Sequence, residues 1–435
     1  MTAILPVLSY ALLALAQQRP AIDLERAALV FGEAEEAALA DDGELWGVSL
    51  VGPILFADPR TRGVAANQPD AEGRLREEQG VFVGVLPEEV SIANTGLDWA
   101  GVRWTMVMWP PPEERVARTL LVLHESFHRI QPRLAHGLGG PLALHLDSEA
   151  GRTWLRLELR ALAEALTGPE ERRRSALEDA LVFRARRRAL FHDALAAESG
   201  LERNEGLAEY TGLVLCGLDE RGRAARAAQR LRGEDSATSF VRSFAYVTGP
   251  AYGLLLDAHG GEWRKGIDAR TDLSELLASA LAWRAPEELI AAAAERATLH
   301  GSAEVREDER RRAVERARME SANRARFVEG PVLTLPFGAN MTYSFDPNDV
   351  TPLAGAGSLY GNARVVDEWG VLDASEDRAL FVLAQDGALL AAQVPAPREP
   401  GTRPLTGEGW SLSLAEGWTL APGARAGDWK VVRAP

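Results

Sequence analysis

The sequence predicts an α+β fold, and three observations carry that prediction. Stretches in which every second residue is apolar occur within residues 20–112, which is typical of half-buried strands. Helical periodicity dominates residues 113–328 instead. From residue 330 to residue 435 proline, glycine and tryptophan become frequent and the helical period disappears. We therefore expect an N-terminal antiparallel sheet, a helical middle part and a small all-β C-terminal domain, built as a sandwich or barrel.

Length and charge restrict the classes of protein to which the chain can belong. Its 435 residues allow two or three domains with sizeable cores. The net charge of -15 argues against nucleic acid and anionic membranes as partners. The single cysteine, Cys216, excludes an internal disulfide and a zinc site built from several thiolates. Its apolar neighbours indicate that it fills a core position.

The N-terminus has the pattern of an export signal. Residues 3–16 are almost wholly apolar but too short to span a bilayer, and Ala14-Leu15-Ala16 matches a small-x-small cleavage site. We therefore expect a signal peptide over residues 1–16 and a secreted or periplasmic protein. The alternative is a buried N-terminal helix. No later stretch approaches transmembrane length, so the mature chain is expected to have no membrane span.

The first part of the chain begins with a helix over residues 20–41 and continues in strands. Residues 45–56 and 63–66 flank the turn residues Asp58-Pro59-Arg60-Thr61 and predict a hairpin. A further strand is expected over residues 80–86. The last strand, over residues 101–109, has a clear period of two, and three prolines end it.

A helix beginning near Glu113 follows those prolines. Its apolar residues Val116, Leu120, Leu123, Phe127 and Ile130 form one stripe, which predicts an amphipathic helix. The same stretch contains the sequence His124-Glu125-Ser126-Phe127-His128. Two histidines four residues apart on a helix face the same side and can bind one metal ion.

The residue between the two histidines gives this pattern its chemistry. Glu125 would lie beside the open coordination position, where a carboxylate can take a proton from a water. The alternative is that both histidines are ordinary residues of the helix and bind no metal. A catalytic zinc needs three protein ligands, so a third must come from elsewhere. His136 and His145 are near in sequence, but neither has a spacing that supports this role.

Several helices are expected after the motif. Three lie between Ser148 and about residue 231, with the second over residues 175–197 and the third beginning near Glu202. Others are expected over residues 239–257 and 273–327. The third helix contains the sequence Asn204-Glu205-Gly206-Leu207-Ala208-Glu209-Tyr210.

The two motifs together resemble those of the gluzincin metallopeptidases, and the second is similar to the aminopeptidase branch of that clan. The resemblance implies a zincin-like helical catalytic part, a Zn²⁺ cofactor and Glu205 as the third ligand. It implies Glu209 as the residue that holds a zinc-binding histidine by its other ring nitrogen. It also implies a tyrosine or histidine from a later helix as oxyanion donor. Tyr246 is our choice for that donor, with Tyr252 and Tyr210 as alternatives.

Other features depart from the aminopeptidase pattern. Between His128 and Glu205 lie 76 residues (204 minus 128), far more than the short spacer of that branch. Asn94-Thr95-Gly96 lacks the acidic residue that would grip a free amino terminus. Exopeptidase and endopeptidase activity therefore both stay open. The strand over residues 101–109 is expected to form the edge of the cleft, with Trp104 and Thr105 contacting the substrate.

Three strand signals lie in the C-terminal part. Residues 380–394 contain Asp386-Gly387 between apolar runs, a strong hairpin pattern. Residues 409–414 and 417–420 predict a second hairpin, and residues 428–432 a final strand.

The function that the sequence favours is a zinc-dependent hydrolase, foremost a metallopeptidase acting on a peptide or protein. One alternative is a non-catalytic extracytoplasmic binding protein on a peptidase-like scaffold. Another is a zinc hydrolase with a non-peptide substrate.

Overall fold

The computed structural model describes residues 22–87, 89–137, 139–345, 349–384 and 388–435. The fold is α+β, as predicted, with an N-terminal mixed sheet, a central helical region and a C-terminal β-sheet region. The chain is divided into two compact units, Met1–Glu309 and Arg310–Pro435. The expected signal peptide lies outside the described residues. It stays a prediction, as do the domain boundaries at residues 20–112, 113–328 and 330–435.

The first unit begins with helix α1 (Leu24–Asp41), which Asp23 caps by accepting a hydrogen bond from the backbone N–H of Arg26. A six-stranded sheet follows. Its strands are β1 (Ile54–Ala57), β2 (Gly63–Ala66), β3 (Arg76–Glu78), β4 (Val81–Val85), β5 (Thr95–Trp99) and β6 (Val102–Met108).

The strand order is β3-β4-β2-β1-β6-β5. The β1–β2 hairpin is confirmed, but the sheet is mixed rather than antiparallel, because β6 returns beside β1 in the same direction. The strand expected from residue 45 begins only at Ile54. The reason is tertiary packing: Trp46 lies in the helical core, and its indole N–H donates to Thr211 Oγ1 at 2.9 Å.

Ten helices lie between the sheet and the C-terminal strands among the described residues. They are α2 (Arg115–Ile130), α3 (Glu149–Thr167), α4 (Glu170–Arg188), α5 (Ala194–Leu201), α6 (Leu207–Leu215), α7 (Glu220–Glu234), α8 (Ala245–His259), α9 (Leu273–Ala280), α10 (Leu289–Ala297) and α11 (Ser302–Arg324). None of the described helices is both long and apolar enough to cross a membrane. Cys216 is buried, as expected.

The helix boundaries differ from the prediction in two places. The helix expected over residues 175–197 begins earlier, directly after Pro169, and ends at Arg188. The stretch over residues 273–327, expected to be helical, contains three helices. Pro286 lies in the first break, and Gly301, with φ +75°, ends the turn before the last of them.

A π turn joins α5 and α6 into one continuous helix. It spans Glu202–Gly206, and the residues on both sides of it keep right-handed helical backbone. Glu205 lies within this turn. Such turns widen a helix locally and are common at functional sites.

A buried ion network packs behind this turn. Its members are Glu158, Arg184, Arg187, Glu198 and Glu202, all at most 1% exposed. Arg184 donates to both carboxylate oxygens of Glu202 at 2.6 and 2.8 Å and to Glu158 at 2.7 Å. Arg187 donates to Glu198 at 2.7 and 3.0 Å. We call these five residues the buried ion network.

The second unit is a β-sheet region of ten described strands. They are β7 (Val332–Pro336), β8 (Thr342–Ser344), β9 (Val350–Leu353), β10 (Gly357–Asp367), β11 (Gly370–Leu383), β12 (Leu389–Pro395), β13 (Leu405–Thr406), β14 (Ser411–Leu414), β15 (Trp418–Pro422) and β16 (Trp429–Arg433). Its core contains Trp369, Leu372 and Phe381.

The strand predictions for this unit are confirmed in part. β11 and β12 pair antiparallel, with Leu380 opposite Gln393, while the expected turn at Asp386-Gly387 lies outside the described residues. The final strand is also confirmed. The prediction of a second hairpin was wrong, because β14 pairs with β11 and β13, whereas β15 pairs with β16. Both strands exist, but the chain after them supplies a better partner for β15.

Candidate metal centre

The two motif histidines face each other on α2. His124 and His128 lie one helical turn apart, and their Nε2 atoms are 3.1 Å from each other. From Leu120 onward the helix is buried on most of its surface, against α6 on one side and β5 and β6 on the other. His124 is 5% exposed, so the imidazoles lie at the bottom of a pocket.

Glu205 completes a group of three potential ligands. Its Oε2 lies 3.4 Å from His128 Nε2 and 3.7 Å from His124 Nε2. Close packing of the π turn against α8 shapes this arrangement. A Cβ added to Gly206 would come within 2.9 Å of the Gly249 Cα, so glycine is needed for the two backbones to approach.

These three separations fit one small metal ion. A tetrahedral ion bound at about 2.0–2.1 Å, as zinc is by nitrogen and oxygen ligands, separates its ligands by about 3.4 Å. The observed separations of 3.1, 3.4 and 3.7 Å surround that value. His124, His128 and Glu205 therefore form a candidate metal-binding group.

The proton positions on the imidazoles support the same conclusion. His124 Nδ1 lies 2.9 Å from Glu209 Oε2, and a carboxylate can only accept, so Nδ1 carries the hydrogen. Arg230 contacts the other oxygen of Glu209. In neutral His124 the Nε2 atom then has a lone pair directed at the other two ligands.

Two side-chain amides impose the same tautomer on His128. The Nδ2 of Asn204 donates to Glu205 Oε1 at 3.1 Å, and the Oδ1 of Asn204 accepts from Gln131 Nε2 at 3.1 Å. The remaining Gln131 atom, Oε1, lies 2.9 Å from His128 Nδ1. A carboxylate oxygen can only accept, so Asn204 donates to Glu205 through its amide nitrogen and accepts from Gln131 through its oxygen. The oxygen of Gln131 therefore faces His128, which must donate through Nδ1. We call Gln131 and Asn204 the amide relay.

Two unprotonated Nε2 atoms 3.1 Å apart repel each other unless a cation lies between them. The amide relay and Glu209 therefore prepare both histidines for a metal. Glu205 is prepared as well. Burial alone would raise its pKa, but the facing imidazoles and the Tyr246 hydroxyl outweigh this and hold the pKa below its ordinary value.

Replacing Gln131 with methionine is expected to weaken metal binding about 10- to 100-fold, the usual cost of losing a group that orients a ligand. The measurement is zinc affinity by competition with a chromogenic chelator. Gln131→Glu, which keeps an acceptor for His128 Nδ1, should retain most of the affinity. Gln68→Met, in a different cavity, is the control. Equal affinity of Gln131→Met and the control would contradict the role of the relay.

Glu125 lies beside the three ligands. It is 4% exposed, and its Oε1 is 3.9 Å from His124 Nε2. Its Oε2 has no hydrogen-bond partner among the residues that the structure describes. Burial raises its pKa above the ordinary value, and the nearby histidines oppose this only in part. A carboxylate with a raised pKa is suited to accept and return a proton near neutral pH.

Tyr246 is the predicted tyrosine that the structure brings to the pocket. Its hydroxyl donates to Glu205 Oε2 at 2.6 Å, and its ring is parallel to that of His124 with centroids 5.8 Å apart. Burial and the hydrogen bond to Glu205 raise its pKa, so the phenol keeps its proton. The alternatives lie elsewhere: Tyr252 donates to Glu158 and Tyr210 to Asp257.

The pocket above the ligands has a volume of about 500 Å³. Asn94, Thr95 and Gly96 line it from the sheet side, and Arg242 and Tyr246 from the helical side. β5 is the edge strand of the described sheet next to the pocket. The edge expected from residues 101–109 is therefore formed by the preceding strand.

Trp104 and Thr105 are not placed where they could touch a substrate. Both are 0% exposed. The Trp104 indole donates to the Trp99 backbone oxygen, and Thr105 Oγ1 accepts from Arg129. The physical reason is that elements pack on both faces of β6. Trp104 lies in an apolar cluster on one face of the sheet, and Thr105 contacts Ser126 of α2 on the other.

Sequence reasoning left three pocket residues without a role. Gln131 follows His128 by three residues, a spacing at which helix residues contact each other, so it could have been found. Asn204 precedes Glu205 directly, but no local pattern shows that it reaches Gln131. Arg242 carries no sequence signal at all. His136 packs between Trp46 and Phe127 instead of joining the ligands.

Comparison with known proteins does not show a family. No family model matches the chain, and no solved structure matches it. Uroporphyrinogen decarboxylase of Corynebacterium glutamicum is 30% identical over 112 residues, which cover 23% of this chain and 31% of that protein. The chain thus spans about a third of the length of this curated relative, too little to assign its activity here.

Proposed function

We propose that the protein is a zinc-dependent hydrolase, and more specifically a metallopeptidase, with His124, His128 and Glu205 as zinc ligands. One observation carries the proposal. Three ligand atoms converge at the separations that a tetrahedral ion requires, beside a buried Glu125 oxygen without a partner among the described residues. A site that only stored a metal would gain nothing from this extra buried carboxylate.

Zinc held by these ligands would polarise a scissile carbonyl and increase the acidity of a water molecule. Glu125 accepts the proton of the attacking water and then delivers it to the leaving amine. The hydroxyl of Tyr246, which donates to Glu205 in this structure, would turn to donate its hydrogen to the oxyanion that develops on the former carbonyl oxygen. Glu209 and the amide relay keep the two imidazoles in orientation throughout.

The sheet edge beside the pocket supports a peptide as the substrate. β5 pairs with β6 on one side, and its other side is the edge of the described sheet. Thr95 and Gly96 of this strand line the pocket. An extended peptide can pair with such an edge through backbone hydrogen bonds, which bring its carbonyl groups to the metal. The predicted signal peptide would place this activity in the periplasm or outside the cell.

The test is zinc analysis of the full chain together with hydrolysis of a peptide library. We expect about one zinc per chain, loss of hydrolysis after chelation, and recovery when zinc is added back. His128→Ala should lose both zinc and activity. Stoichiometric zinc without hydrolysis of any peptide would refute the peptidase. Full activity in metal-free protein would refute the metal mechanism.

A further inference from the structure

The metal pocket has two arginines among its lining residues, one on each side. Arg103 belongs to β6 on the sheet side, and Arg242 precedes α8 on the helical side. Their environments differ. Arg103 contacts Asp98 and lies against the Gly96 backbone, so its guanidinium is engaged. The side chain of Arg242 is 59% exposed, and it contacts Glu205 Oε1 at a long 3.3 Å.

Arg242 lies next to the reacting groups. Its guanidinium contacts Glu205 and lies close enough to Tyr246 to oppose, in part, the rise that burial causes in the pKa of the phenol. Glu205 Oε1 already accepts from Asn204 at 3.1 Å, the shorter of the two contacts. Most of the N–H groups of a guanidinium fork thus remain available for a ligand at this end of the pocket.

The charges of the pocket favour an anion. The carboxylates of Glu125, Glu205 and Glu209 line it. Asp98, which pairs with Arg103, adds a fourth negative charge, and Arg230 contacts Glu209. A divalent metal together with Arg103, Arg230 and Arg242 would exceed these four negative charges by one positive charge. Arginine binds carboxylates in a bidentate manner, with charge-assisted hydrogen bonds.

We propose that Arg242 determines specificity by binding a carboxylate of the peptide next to the scissile bond, which makes acidic peptides the preferred substrates. This inference rests on the proposed peptidase function. The carboxylate can belong to an aspartate or glutamate side chain or to a free C-terminus. Both present the same chemistry to Arg242, so the experiment must separate them.

The experiment compares kcat/KM of the zinc-loaded full chain for matched fluorogenic peptides. One pair has Glu or Gln beside the scissile bond, with an amidated C-terminus. The other pair has Gln there and ends in a free carboxylate or an amide. We expect wild type to prefer the carboxylate of one pair roughly 10- to 100-fold, as for a charge-assisted hydrogen bond. The pair that shows the preference identifies the source.

Variants of Arg242 test whether this residue causes the preference for a carboxylate. Arg242→Gln should abolish the preference, measured as the ratio of kcat/KM for the charged peptide to kcat/KM for its neutral partner, whatever its effect on the overall rate. Arg242→Lys should retain part of this ratio. Arg115→Gln is the matched control, because Arg115 has a similarly exposed side chain (60%) paired with Glu36. If wild type hydrolyses the charged and the neutral peptides equally well, the inference about Arg242 is overturned, whereas the proposed peptidase function is not. Absence of any hydrolysis overturns the proposed function and the role of Arg242 with it.

Discussion

Replacing Glu125 with glutamine is expected to lower kcat/KM for peptide hydrolysis by roughly 10²- to 10⁴-fold, the contribution of a positioned general acid–base. Glutamine keeps the size of the side chain but cannot accept the proton. Because Glu125 is outside the group of three ligands, zinc content should not change. The measurement combines steady-state kinetics with metal analysis of the same preparation.

The control for this variant is Glu36→Gln. Glu36 is also a carboxylate on a helix, but its side chain is 73% exposed and pairs with Arg115. It should keep wild-type activity and zinc. A Glu125→Gln protein with stoichiometric zinc and undiminished activity would show that Glu125 is not the base. It would leave the site as a metal-binding centre only.

Replacing Arg184 with methionine is expected to destabilise the protein by about 3–5 kcal/mol, because it leaves the buried carboxylate of Glu202 without its cation. Arg184 is 1% exposed and has two hydrogen bonds to Glu202, which lies on the π turn with Glu205. Thr248 would remain as a partner of Glu202, but a hydroxyl cannot neutralise its charge. The change in the free energy of unfolding is measured by unfolding the full chain in urea while the helical circular dichroism signal is monitored.

Arg174→Met is the matched control on the same helix. Arg174 forms an ion pair with Glu178 one turn away, and its side chain is 53% exposed. Exposed pairs of this kind contribute about 0.3–0.5 kcal/mol, so this variant should unfold almost as wild type does. If both variants lost the same small amount, the buried ion network would not stabilise the π turn.

The sequence predicted the local features of the site better than the distant ones. The facing of His124 and His128 follows from helix geometry alone, and the structure shows it. Glu205 came from the resemblance of its motif, since no local rule connects residues so far apart. The amide relay depends on how the π turn packs against the end of α2, which only the tertiary structure determines.

The strands show the same limit. A period of two predicted which residues of β6 share a face, but not that β5 would pair along its outer edge. It also did not show that packing on both faces would bury Trp104 and Thr105. The apolar run from residue 45 has the composition of a strand, yet Trp46 packs into the helical core. In the C-terminal unit the sequence showed where β14 and β15 lie, but pairing also depends on strands far along the chain.

The π turn at Glu202–Gly206 has a consequence for how such a site changes over generations. A π turn holds one more residue than the α-helical turn that could replace it. Losing one codon there would rotate the residues on one side by about 100° relative to the other. Glu205 and Glu209 would then no longer reach the two histidines together. Insertion or deletion of a single residue in this turn is therefore one route, besides substitution of a ligand, by which this scaffold gains or loses the candidate metal site.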